Sequence, residues 1–392
     1  MPKPLRYVIV SSAPFVRDGN RCLVASCGQK SLMQWISFMD EVILLRPEAT
    51  HRSTRRDLVA LPDHVKAIPL HDGSGSPWRR KASTQRVARQ ILTKDHILYV
   101  RMPSYEGYWC AQVAWEKGIP VMAELHGDWE SVILCEDKRG LVRTLTRRFR
   151  ATSARKAVQT MCDRAFCVVA IGPKLAEQYV PSTTPTLITT NHLLEEHDYR
   201  ERTVFALHDP PRILFVGGLV RLKGLHILFA ALSKLRQRGN DFEMVLIGPG
   251  PQQSELTAYA KSHGFGDKVV FLGHVPHGEA LFEQYRQADM FVLPSMTEGV
   301  PRVVHEAMAM GCPVVATDVG SVAWQLRDGA GIIVRPNDVD GLADAMASVL
   351  DDSDLRKRLS VAAYQRSLEH TLERQQQGIE EFTKRHISLL GR

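Results

Sequence analysis

Short apolar runs recur through the first half of the chain, at 7–11, 42–45, 67–70, 97–101, 121–125, 166–171 and 186–190. Each is bounded by polar or turn residues and is too short for a helix of ordinary length. Runs of this kind predict strands in a covered sheet. Between several of them lie amphipathic stretches, such as 30–39 and 84–92, whose apolar residues return at helical spacing. Strand and helix patterns alternate, which predicts a parallel sheet with helices on both faces.

The stretch 195–211, EEHDYRERTVFALHDPP, interrupts the rhythm and ends in a Pro pair. It has little periodicity of either kind and is expected to be a linker. The alternation then restarts. Strands are expected at 213–216, 244–247, 269–272, 291–293, 314–316 and 332–334, and helices at 224–238, 253–263, 279–287, 301–310 and 339–350. A charged helical tail fills 355–390. The expected fold class is α/β, with two Rossmann-like domains, 1–200 and 201–368, facing a central cleft. A C-terminal helix at 369–392 is expected to cross back to the N-terminal domain. Ligands of open α/β sheets sit beyond the carboxyl ends of the strands, so the chemistry is sought there.

The segment TEGVPRVVHEAMAMGCPVVAT, 297–317, follows one such strand. Glu298 falls at the strand–helix junction and Glu306 about a turn and a half into the helix. Gly299 and Val300 make the turn, Pro301 suits a helix start and Gly311 a helix stop. Two carboxylates accept several hydroxyl hydrogen bonds, which suits a polyhydroxylated ligand. The helix start suits a phosphate. The segment RILFVGGLVRLKGLHIL, 212–228, runs a strand into Gly217–Gly218 and then places Arg221 and Lys223 before Gly224 and a helix. A glycine turn with two cations at a helix start is a diphosphate site by simple electrostatics. MVLIGPGP brings Gly248 to another strand end, and VVFLGHV offers the backbone around Val275 to a base edge.

Composition adds bounds. The chain has 392 residues, 44% hydrophobic and 24% charged, enough for two ordinary soluble cores. A net charge of +7 suits an anionic partner, yet no helix-turn-helix, zinc-finger or RNP-like signature points to nucleic acid. Seven cysteines include no C-x-x-C, so they read as reduced thiols rather than a disulfide framework or a zinc set. The start MPKPLRYVIVSSAP enters a strand pattern at once, and no run reaches the ~18–20 apolar residues of a membrane span. The expected location is cytoplasmic, with any membrane contact peripheral.

The succession VGGL, KG, IGPGP, VVFLGHV, FVLPS, EGVP, HEAMA and PVVAT resembles glycosyltransferase family four, strongly over 213–350 and in outline before it. The resemblance implies a GT-B fold and retaining, metal-independent transfer from a nucleotide sugar, with no cofactor. By position, Glu306 resembles the family's ribose-binding glutamate, Glu298 the glutamate that contacts the transferred sugar, and Lys223 the diphosphate lysine. His126, in AELHGDWES, resembles the histidine beside the donor sugar. Lys223, Arg221, Glu298 and His126 are the expected catalytic group. Gly217, Gly218, Gly248, Val275, Gly299, Val300 and Glu306 are expected to bind the donor. The chain departs from the family pattern at Gly218, where many members have Arg, and at Pro301, where many have Gly. The loop APFVRDGNRC has a single Gly19 where a Gly pair is frequent. The triplet Asp338-Val339-Asp340 precedes a helix and reads as a cap rather than a metal motif.

One further segment, 138–156, carries eight basic residues and no acidic one. Arg139, Arg143, Arg147 and Arg150 recur at helical spacing, as do Leu141, Leu145 and Phe149. Such a helix suits an anionic membrane surface and a lipid-linked acceptor. The expected function is transfer of a sugar to a hydroxyl acceptor, a glycan or a lipid-linked one, in polysaccharide or glycolipid synthesis. The rival readings are a GT-B sugar-nucleotide epimerase and a non-catalytic nucleotide-sugar-binding protein.

Overall fold

A computed structural model describes residues 6–19, 21–25, 32, 36, 39, 41–49, 58–134 and 141–390, with the backbone alone at 25 and 141–145. The chain forms two compact units, Met1–Thr189 with Gln375–Arg392, and Thr190–Arg374.

In the first unit the strands, in chain order, are β1 (Arg6–Val10), β2 (Val16–Asp18), β3 (Arg21–Ala25), β4 (Glu41–Arg46), β5 (Leu58–Ala60), β6 (Val65–Pro69), β7 (His96–Met102), β8 (Val121–Leu125), β9 (Cys167–Ile171) and β10 (Thr186–Thr189). Seven of them make a parallel sheet in the order β10-β9-β8-β7-β1-β4-β6. Alternation along β1 sends Val8 and Val10 to one core and Tyr7 and Ile9 to the other. The first core is closed by residues such as Ala88, Cys110 and Met161 from the helices Pro77–Ile91, Tyr105–Glu116 and Leu141–Arg164. The second takes Leu32, Ile36 and Met39, and also Ile379 and Ile387 of the terminal helix Leu372–Ser388. Most of the helix expected at 30–39 lies outside the described residues. The helix expected from 84 starts at Pro77, because Ser76 accepts from the Arg79 N–H and Pro77 suits the first turn.

The second unit is a six-stranded parallel sheet. Its strands are β11 (Arg212–Val216), β12 (Glu243–Ile247), β13 (Val269–Gly273), β14 (Met290–Leu293), β15 (Val314–Thr317) and β16 (Ile332–Val334), in the order β13-β12-β11-β14-β15-β16. Connections leave β11 one way and β14 the other, so the gap beyond their carboxyl ends is the topological switch point.

Two readings of the sequence need correction. APFVRDGNRC is not a plain loop: β2 and β3 pair antiparallel across it, with Gly19 at φ 58°, and β5 adds a third strand. Glycine accepts that left-handed turn without strain. The stretch 195–211 is not a free linker either. The Tyr199 hydroxyl lies 2.8 Å from His305 Nε2, and the Arg200 N–H donates to the Ala309 carbonyl at 3.0 Å. Arg202 Nη2 reaches the carbonyls of Ala288 at 2.5 Å and Arg286 at 2.8 Å. These polar side chains satisfy helix-end carbonyls, and for that reason they lack hydrophobic periodicity. The change of unit therefore falls at Thr190 and at Gln375 rather than at 201 and 369.

Among the described residues, Cys22, Cys110, Cys162, Cys167 and Cys312 are free thiols. Burial pushes Cys312 and Cys162 up to about 12, so neither is a nucleophile. No described helix is long and apolar enough to cross a membrane.

Arg202→Ala should lower the stability of the second unit by about 1–3 kcal/mol, the cost of carbonyls left unsatisfied. Urea unfolding checks this; an unchanged midpoint would restore the free-linker reading.

Candidate active site

The switch point of the second unit is built from backbone first. Gly248 has φ 126°, and a Cβ there would stand 2.1 Å from the Gly217 carbonyl oxygen. The Gly217 N–H donates to the Ile247 carbonyl at 2.9 Å, and Leu219 N–H to that of Pro249 at 2.9 Å. These glycines thus let the β11 and β12 turns touch backbone to backbone. Gly218 is different: a Cβ there would meet only the Pro249 oxygen, at 3.8 Å. A Cβ fits at that position, so glycine there is not forced by close packing.

Gly224 has φ 67° and abuts β14, where a Cβ would fall 1.9 Å from the Pro294 carbonyl oxygen. That approach, with the Met296 N–H donating to Leu222 O at 2.9 Å, joins the single turn Arg221–Lys223 to the end of β14. Lys223 Nζ lies 2.6 Å from Glu298 Oε1, which also accepts from the Ser295 hydroxyl at 2.6 Å. The Glu298 side chain is 10% exposed and that of Lys223 27%. The pair spans the switch point. Arg221, from the same turn, is exposed and forms no ion pair among the described residues. Its charge, after burial, helps push the His226 imidazole down.

A second brace was not singled out from sequence. Gly320, at φ 59°, brings its Cα against the Glu298 and Gly299 carbonyls, and the Ser321 N–H donates to Gly299 O at 2.8 Å. The turn 298–300 is held from below, with Val300 buried. Pro301 caps the helix Arg302–Ala309 rather than lying inside it.

Glu306 sits in that helix and is 5% exposed. Its Oε2 accepts from the buried Tyr285 hydroxyl at 2.8 Å, and its Oε1 lies 3.6 Å from His277 Nε2. Burial raises its carboxyl pKa, opposed by His277, the Tyr285 hydroxyl and Arg302. His277 and Tyr285 were missed in the sequence. His277 stands only two residues beyond Val275, which packs against the core. One residue before Glu306, His305 stacks on His192 with ring centroids 3.5 Å apart. Burial lowers both, His192 to about 3, so both rings are neutral. That stack and Tyr199 anchor the helix that carries Glu306.

His126 belongs to the first unit, just past β8. Its Nε2 lies 2.8 Å from Glu124 Oε2 and 2.7 Å from Arg101 Nη2. Burial opposes the Glu124 charge, but His126, Arg101 and the Tyr99 hydroxyl together hold its pKa down at about 2. A carboxylate at Nε2 fixes the imidazole's orientation. Neither Arg101 nor Glu124 was singled out from sequence.

Asp338 Oδ1 accepts from the Gly341 N–H at 2.8 Å, the cap its spacing implied, and Asp340 pairs with Lys234. Among the described residues no three His, Cys, Asp or Glu side chains gather as a metal group.

The glycosyl transferases group 1 family matches residues 200–366. That stretch holds Lys223, Glu298 and Glu306 but not His126. The chain is 35% identical over 164 residues to the alpha-D-kanosaminyltransferase of Streptomyces kanamyceticus, a match covering 42% of each protein. It is 28% identical over 328 residues to the phosphatidyl-myo-inositol mannosyltransferase of Mycolicibacterium smegmatis, covering 81% of this chain and 78% of that one. The stronger matches thus span about two fifths of their relatives' length. The sucrose-phosphate synthase of Thermosynechococcus elongatus shares the fold, with a TM-score of 0.72 over 98% of this chain and 99% of that one at 16% identity. The chain has the GT-B fold, and its residues 200–366 match the model of the glycosyl transferases group 1 family.

Proposed function

We propose that this protein is a retaining, metal-independent glycosyltransferase that moves a sugar from a nucleoside-diphosphate sugar to a hydroxyl acceptor. The observation that carries the reading is the Lys223–Glu298 pair at the switch point of the second unit. An arriving diphosphate competes for the lysine, and the released carboxylate then accepts sugar hydroxyls. Lys223 thereby faces the charge that develops as the bond from the anomeric carbon to the diphosphate breaks. The acceptor oxygen bonds to that carbon on the same face, and its proton passes to the leaving phosphate oxygen. Arg221 adds positive charge from the outer side of the turn. Gly299 and Val300 bring backbone to the sugar, and Gly217, Gly218 and Gly248 bring it to the phosphates. We assign His126 to the sugar on the family resemblance; Glu124 and Arg101 orient its ring.

Glu306 is assigned to the ribose. Tyr285 occupies one oxygen, and the 3.6 Å gap to His277 leaves the other available to a hydroxyl. Glu306→Ala should weaken donor and free nucleoside diphosphate alike by about 1.5–3 kcal/mol, the worth of a charged hydrogen bond. Titration calorimetry reads this directly; unchanged affinity would remove Glu306 from the site.

The helix Leu141–Arg164 supports peripheral docking on an anionic membrane surface. Phe149 is 77% exposed, and Arg148 and Arg150 flank it on the exposed side. Ala151 and Ala154 instead pack inward against Ile133. Arg139 lies outside the described residues, and the Arg143 side chain is not described. Each arginine near such a surface contributes about 1 kcal/mol. Reversing Arg147, Arg148 and Arg150 to Glu should abolish sedimentation with anionic vesicles at low salt while leaving donor affinity intact. Wild-type protein that ignores those vesicles would make this a solvated helix and the acceptor soluble.

A further inference from the structure

Arg46, Ser11, Arg101 and Glu124 form one row across the sheet of the first unit. Arg101 pairs in register with Glu124. Val10 pairs with both Leu45 and Val100, so Ser11, one residue on, stands beside Arg46 on one side and Arg101 on the other. Strand alternation puts all four on the face of Tyr7, Ile9, Leu44 and Tyr99. The row closes the carboxyl ends of β4, β1, β7 and β8. β1 and β7 are neighbours from which the connections diverge, so this row marks the switch point of the first sheet.

The charges along the row do not balance. Glu124 answers Arg101 at 2.9 Å. Arg46 is 2% exposed, its Nε has no hydrogen-bond partner, and it forms no ion pair among the described residues. The Ser11 hydroxyl, 6% exposed, is likewise unpartnered. Burial, then the like charge of Arg101, pushes Arg46 down to about 10, so it is still cationic at neutral pH. Elsewhere in the chain a buried arginine uses its donors on carbonyls. Arg356 does so, with Nη1 at 2.8 Å from Val349 O and 2.7 Å from Leu350 O. Arg46 does not.

We propose that Arg46, with Ser11, forms a buried oxyanion-binding site in the first unit, and that it receives a phosphate or carboxylate group of the acceptor. The guanidinium fork matches such a group, and the serine hydroxyl adds a donor beside it. The word acceptor rests on the transferase reading; the oxyanion site does not.

The test uses the full chain without any donor, so turnover plays no part. Thermal unfolding is followed at constant ionic strength in chloride, in inorganic phosphate and in glucuronate. Wild-type protein should gain roughly 2–4 °C in one of the two oxyanions. Arg46→Met keeps the side chain's bulk and removes the charge. It should melt above wild type in chloride, because an uncompensated buried cation has been removed, and should lose the oxyanion response. Arg46→Lys should retain part of it. A response to phosphate alone assigns a phosphate-bearing acceptor, and one to glucuronate alone an acidic sugar. The proposal is overturned if Arg46→Met melts below wild type and wild type ignores both anions. It is equally overturned if Arg46→Met responds as wild type does, since the anion then binds elsewhere.

Discussion

The ion pair between Lys223 and Glu298 organises the second unit. Its partners come from turns 75 residues apart in sequence that only the adjacency of β11 and β14 brings together. The approach is close because Gly224 offers no Cβ to the Pro294 carbonyl and Gly320 none to the carbonyls of Glu298 and Gly299. With a side chain at either position the two turns would be driven apart. The Glu298 side chain is 10% exposed and that of Lys223 27%, so water screens the pair little and each side chain holds the other in position. The site therefore holds its own cation in place before the ligand does.

Much of the second unit was legible from its residues. Its strands begin and end within a residue or so of the apolar runs, since a parallel strand buried on both faces leaves few alternatives. Gly217, Gly218 and Gly248 were legible too, because each stands at a strand end where a turn must follow. Less legible were the partners that reach a site from elsewhere in the chain. Tyr285 reads as one more core aromatic on an amphipathic helix, and nothing local says that its hydroxyl meets Glu306. The stretch 195–211 was misread because a segment that binds through side-chain donors carries no hydrophobic period.

The first unit shows the same limit more strongly. Arg46, Ser11, Arg101 and Glu124 are scattered over more than a hundred residues, and each terminates an ordinary strand pattern. A polar residue at a strand end is unremarkable by itself. The strand order β8-β7-β1-β4 makes them a row, and strand order follows from crossover connections rather than from local pattern. The hairpin around Gly19 escaped for a related reason: β2 is three residues long, shorter than a periodicity can register.

If Lys223 supplies at the switch point the positive charge that the leaving diphosphate requires, its removal must slow turnover. The direct measurement is acceptor-dependent release of nucleoside diphosphate from a nucleotide sugar, in EDTA, by wild type and by Lys223→Met. Wild type should turn over undiminished in the chelator, and Lys223→Met should lose on the order of 10²–10³ in kcat, the scale of one preorganised electrostatic contact. Wild-type release that stops in EDTA and returns with Mg²⁺ or Mn²⁺, or a Lys223→Met protein as fast as wild type, would contradict this.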